Sequence, residues 1–139
     1  MKIYTKFFGE IIIDDNDIIT FNSGIPGFEE YKKFIILDLE SKSTLKCLQS
    51  TESKDVCLVI INPWDYFNDY QIELSDDEVD CLEIEKEEDV LVYNVLTIRQ
   101  DKITANLLAP IVINSLKKKG KQIILSNTNY KIRQEIVCL

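Results

Sequence analysis

Nine carboxylates fall within residues 76–89, against the single cation Lys86. Paired carboxylates can bind a divalent cation or share acid–base work, provided that burial raises one pKa. These acids lie in turns and around a short helix, where burial is not expected. Asp14-Asp15-Asn16-Asp17 places oxygens at alternate positions, as a calcium loop does. Ile18 takes the next ligand position, however, and no glycine or bidentate glutamate follows at the required spacing. It reads as a polar turn. Cysteines stand at 47, 57, 81 and 138, without a C-x-x-C pair or the gaps of a zinc module. They are expected to be reduced thiols. Histidine is absent, which removes Ser-His-Asp and Cys-His catalysis and histidine proton shuttles. The four glycines, at 9, 24, 27 and 120, make no phosphate loop. Asn62, Asn94, Asn106 and Asn114 each abut an apolar run, where asparagine closes turns or satisfies buried backbone. The expectation is a protein without catalytic residues, cofactor or metal.

The elements that must position these residues are mostly strands. The 139 residues are 45% hydrophobic and 29% charged, which suits one soluble domain able to bury a core. No apolar run approaches the roughly 18 residues of a membrane span, and no secretory leader is visible at the N-terminus. A cytoplasmic location without membrane contact is expected. Short apolar runs occupy 4–8, 11–13, 18–21, 34–39, 45–48, 56–61, 70–72, 90–98, 104–114 (broken by Pro110) and 122–125. Polar or glycine-bearing turns separate them, which is the pattern of antiparallel sheet. Lys117-Lys118-Lys119-Gly120-Lys121 reads as a hairpin turn with Gly120 at its bend. Ser75-Asp76-Asp77-Glu78 has capping-box form, and Val79 and Leu82 share a face, so a helix is placed over about 76–83. The fold class is all-β: a small antiparallel barrel with one or two short helices, forming one domain over 1–139. The stretch 126–139 has no strong pattern and is expected to form a flexible tail.

Two corners carry exposed-looking chemistry. Gly24-Ile25-Pro26-Gly27 breaks the chain between two strands yet holds Ile25, Phe28 and Tyr31. These either plug one end of the barrel or face a partner. Pro63, Trp64, Tyr66 and Phe67 form the densest aromatic group. With the helix carboxylates Asp77, Glu78 and Asp80, they make the aromatic anchors and charged rim that a protein–protein interface needs. The net charge of −8 opposes direct nucleic-acid binding and favours encounter with a basic protein.

Linked motifs then bring a family into view. They run from Tyr4-Thr5-Lys6-Phe7-Phe8-Gly9-Glu10 through Ser23-Gly24-Ile25-Pro26-Gly27-Phe28-Glu29 and Val59-Ile60-Ile61-Asn62-Pro63. The most specific block is Thr104-Ala105-Asn106-Leu107-Leu108-Ala109-Pro110-Ile111-Val112-Ile113-Asn114, followed by Gly120-Lys121-Gln122. In this order they resemble the FliW family of bacterial flagellar assembly factors. Asn22 departs from the family's usual proline before Ser-Gly. The resemblance implies a cytoplasmic β-barrel without catalytic activity, a monomer when free. It would bind the RNA-binding repressor CsrA, relieve repression of flagellin translation, and bind flagellin as the competing partner. It fixes no contact residues. Those remain Pro63, Trp64, Tyr66, Phe67, Asp77, Glu78 and Asp80, with Ile25 and Phe28. Readings from other classes are a carboxylate-based, metal-dependent small enzyme and a structural flagellar component.

Overall fold

The long apolar run at 90–98 becomes the strand on which the fold is hung. In a computed structural model, which describes residues 1–39, 44–126 and 128–136, it is the ten-residue strand β7 (Val90–Arg99). Before it in the chain come β1 (Lys2–Thr5), β2 (Gly9–Ile12), β3 (Ile19–Thr20), β4 (Lys33–Asp38), β5 (Lys46–Ser50), β6 (Cys57–Ile61) and the helix α1 (Asp76–Cys81). After it come β8 (Lys102–Ala105), β9 (Ile111–Asn114), β10 (Lys119–Gln122) and β11 (Gln134–Glu135).

β7 serves three neighbours in succession. Val90 to Tyr93 pair with β9, Asn94 and Val95 with β6, and Leu96 to Arg99 with β8. The ladder from β7 through β6, β5, β4, β3, β10 and β9 returns to β7, so the sheet closes as a barrel. Closure removes free edges from this ring. Its pairings are antiparallel except that between β3 and β10, which is parallel and reaches only Lys119 against Thr20. β8 and β11 continue outward from the far half of β7. β1 and β2 form a separate hairpin, whose Ile3 is buried with Ile13 and Ile35.

The core has two further parts. Inside the ring, Phe21, Ile25, Phe34, Leu48, Ile60, Ile111 and Ile113 pack together. Beneath α1 and the 62–75 connection, Ile61, Tyr70, Leu82, Val92, Leu107 and Leu125 form the second cluster. The four strand-flanking asparagines bind backbone as expected. Asn62 Oδ1 accepts from the Trp64 N–H, and Asn106 Oδ1 from the Ala109 N–H. Asn94 Nδ2 donates to the Asn106 carbonyl at 2.7 Å, and Asn114 Nδ2 to the carbonyls of Leu82 and Glu83.

Three local expectations need correction. Gly120 is not a turn residue. It lies in β10 opposite Ile113, and a Cβ there would meet the Phe21 ring at 2.5 Å. The turn falls earlier, where Asn114 Oδ1 accepts from Leu116 and Lys117 N–H and Lys118 takes φ +54°. The runs at 70–72 and 122–125 both read as strands in the sequence. The first contains no strand, and in the second the ladder stops at Gln122. Within 126–139, β11 pairs with β8, and Ile136 is buried and donates its N–H to the Ile103 carbonyl. Asn127 and 137–139, Cys138 among them, lie outside the described residues.

Candidate functional site

The connection from β6 to α1 begins with a proline that cannot extend the ladder. Asn62 caps a single 3-10 turn, Pro63–Asp65, with Pro63 inside it. This turn buries Pro63 and leaves Trp64 40% exposed. The Trp64 indole N–H donates to the Tyr70 carbonyl at 2.7 Å, and the two rings lie 5.9 Å apart. Tyr70 is buried and donates its hydroxyl to the Leu107 carbonyl at 2.7 Å. Burial pushes its hydroxyl pKa up to about 12, so it stays a neutral donor at physiological pH. Tyr130 also packs on Tyr70, at 4.7 Å, and accepts the Gln71 N–H through its hydroxyl at 2.8 Å. Tyr66 and Phe67 are half-buried against the second core cluster. The Tyr66 hydroxyl bonds that of Thr44.

From this aromatic stack the chain runs extended to α1. Ser75 Oγ accepts from the Glu78 N–H and the Glu78 carboxylate accepts from the Ser75 N–H, which is the capping box expected. Glu78 is thereby tied to the helix start. Asp77 and Asp80 are exposed. Between 71–75 on one side and Leu125, Ser126 and Thr128 to Tyr130 on the other lies an open cleft of about 780 Å³. Tyr130 of the aromatic stack stands at its wall, and Ser75, the cap of α1, also lines it.

The structure brings Ser75, at the start of the acidic helix, to the cleft and links Trp64 to it only through Tyr70 and Tyr130; Trp64, Asp77, Glu78 and Asp80 do not line it. It places Ile25 and Phe28 elsewhere. Ile25 is 2% exposed within the barrel, and half-buried Phe28 packs on the same cluster. The corner needs glycine at 24, where φ is +72° and a Cβ would lie 2.7 Å from Glu29 Cα. Ile25 therefore fills the barrel end. Sequence reasoning missed Tyr130 and its neighbours, because they fall in a stretch without periodicity. Their one signal is a lone aromatic in polar surroundings.

Reactive chemistry does not gather here. Among the described residues, no group of three or more His, Cys, Asp or Glu is placed to hold a metal ion. Among the described residues, the two carboxylates that shift do so downward: Glu29 through the Gly27 N–H, and Glu83 through Lys119. A general acid needs the opposite. Cys47 and Cys57 are free thiols on adjacent strands. Hydrogen bonding between them holds Cys57 below and Cys47 above the ordinary thiol value. No helix among the described residues is long and apolar enough to cross a membrane.

Comparison with known proteins agrees over the whole chain. The family model for FliW protein matches residues 2–136. A flagellar assembly factor FliW from Clostridium beijerinckii is 44% identical over 139 residues, covering 99% of both chains. One from a Geobacillus species is 48% identical, covering 98% of this chain and 95% of its own. A crystal structure of the flagellar assembly factor FliW superposes with a TM-score of 0.93 at 47% identity, covering 97% of this chain and 96% of that one. With the motif order, the closed barrel and these matches in agreement, the chain belongs to the FliW family.

Proposed function

We propose that this protein acts in flagellum assembly as a non-enzymatic regulator that works by binding other proteins in the cytoplasm. One partner is a CsrA-type RNA-binding repressor, whose hold on flagellin translation it relieves. The other is flagellin, which competes for it and so reports its own level. Family membership across residues 2–136 carries this reading, since the relatives are named flagellar assembly factors. The charge of −8 favours a basic protein partner over nucleic acid. The cleft carries Tyr130 and Glu73 in its walls, Asp76 and Asp77 follow from its end, and the half-exposed Trp64 lies behind it on Tyr70, which are aromatic and acidic groups of the kind an interface uses.

Size-exclusion chromatography of the protein mixed with its cognate repressor, and separately with its cognate flagellin, tests the reading. Stable complexes are expected at concentrations on the order of micromolar. If neither partner co-elutes with this chain, the reading is wrong for it.

A further inference from the structure

Two stretches that read as strand reach the same cleft: Gln71 and Ile72 lie in one wall, and Leu125, beyond the end of β10, opens the other. Along 71–75 burial alternates, with Ile72 and Leu74 turned towards the core and Gln71, Glu73 and Ser75 outward. This is the pattern of a half-buried strand. Successive N–H groups along an extended chain point to opposite edges, so those of Gln71, Glu73 and Ser75 share the edge towards Tyr130. The Tyr130 hydroxyl takes the first and the Glu78 carboxylate the last. Between them the Glu73 N–H has no protein acceptor among the described residues, and the N–H groups of Ile72 and Leu74, also without one, belong to the other edge. Across the cleft, Ile123 and Leu125 are buried and donate their N–H groups to the carbonyls of Pro110 and Leu108, both at 2.9 Å. By the same alternation Ser126 turns the other way, and among the described residues its N–H has no protein acceptor. Both walls therefore show the alternating burial of a strand without a strand between them.

We propose that this cleft receives an extended, basic segment of a protein partner, which adds as a strand along 71–75 and takes the free N–H of Glu73. The proposal rests on the reading that the chain works by binding proteins, and it names how one is held. Backbone pairing of this kind supplies affinity, while alternate side-chain positions supply selectivity. The charge at the cleft selects for cations. Glu73 is the one charged side chain lining it among the described residues, and Asp76 and Asp77 follow directly from its end. Tyr130 offers an aromatic face on which an arginine or lysine of the segment can rest. Five residues of wall span about 17 Å, enough for a strand of ordinary length.

The test uses the full chain and a fluorescein-labelled heptapeptide alternating lysine and valine, with an alternating glutamate–valine peptide as its counterpart. The lysine peptide is expected to bind saturably with Kd below about 1 mM, and the glutamate peptide is not. Amide hydrogen exchange at Glu73 is expected to slow by at least about tenfold on binding. Glu73→Pro, which removes that donor, should abolish binding, whereas Glu73→Gln should only weaken it. No saturable binding, equal binding of both peptides, or binding with exchange at Glu73 unchanged overturns the proposal. A repressor or flagellin that co-elutes without slowing that amide overturns it too and leaves the proposed function standing. Failure of both proteins to co-elute counts against the function instead, and the peptide result then decides the cleft alone.

Discussion

Single residues set the shape of this barrel more than their types suggest. Gly120 exists to admit the Phe21 ring, which is fully buried and meets Phe34 edge-on at 5.4 Å. Gly120→Ala would drive a Cβ to 2.5 Å from that ring, which has no room to retreat. The expected cost is about 1–3 kcal/mol, measured by chemical denaturation, and Phe21→Leu in the same chain should recover part of it. Glu83 gives a pH prediction. Its carboxyl lies below the ordinary 4.5 because the Lys119 ammonium donates to it, and both groups are partly solvated. A depressed folded pKa contributes stability that is present above the unfolded value and lost as pH falls through the folded one. The Glu83 titration, followed by NMR, should therefore have its midpoint below pH 4.5 and return towards it in Lys119→Met. Screening by solvent keeps the accompanying stability change small. Neither feature could be read from the sequence. A glycine followed by lysine resembles a turn, and the distance between 83 and 119 is closed only by the folded barrel.

At the scale of elements, what was legible depended on whether the deciding contacts were local. Ser75 and Glu78 are three residues apart, so the capping box and the start of α1 followed from spacing alone. Ser75→Ala should cost about 1 kcal/mol, a fall of about 4 °C in Tm by calorimetry, while β-sheet circular dichroism stays unchanged. The closed ring was legible as a class but not in its order. The parallel seam between β3 and β10 joins segments about a hundred residues apart through one residue pair, and no periodicity announces it. The errors at 70–72 and 122–125 have a different origin. Alternating burial reports which side chains face the core, and it is satisfied at both places by contacts with Tyr70, Leu107 and Leu125. Whether a neighbouring strand completes the ladder is a separate matter, on which alternation is silent. The candidate site was half legible for the same reason. The Trp64 corner and the acidic helix stand out in composition, but Tyr130 joins them only by packing on Tyr70.

For the whole molecule, charge and closure divide the work. The ring has no free edge, so the proposed function assigns partner binding to what lies outside it: the 62–75 connection, α1 and the segment before β11. On that proposal the net charge of −8 steers a basic partner towards the protein. Its association rate should fall several-fold as ionic strength rises, while the dissociation rate changes little; stopped-flow measurements at stepped salt check this, and a salt-independent on-rate would make the acidic block a merely solvated face. The chain has one tryptophan, Trp64, and it stands half-exposed beside Tyr70, whose other ring neighbour, Tyr130, lines the cleft. Titrating the protein with its cognate repressor or flagellin, after subtraction of the partner's own signal, therefore reads the cleft through this run of rings. Emission from Trp64 should shift to shorter wavelength and saturate at the concentration where the complex forms. Emission that stays unchanged while size exclusion shows a full complex would contradict the placement of the interface at this cleft.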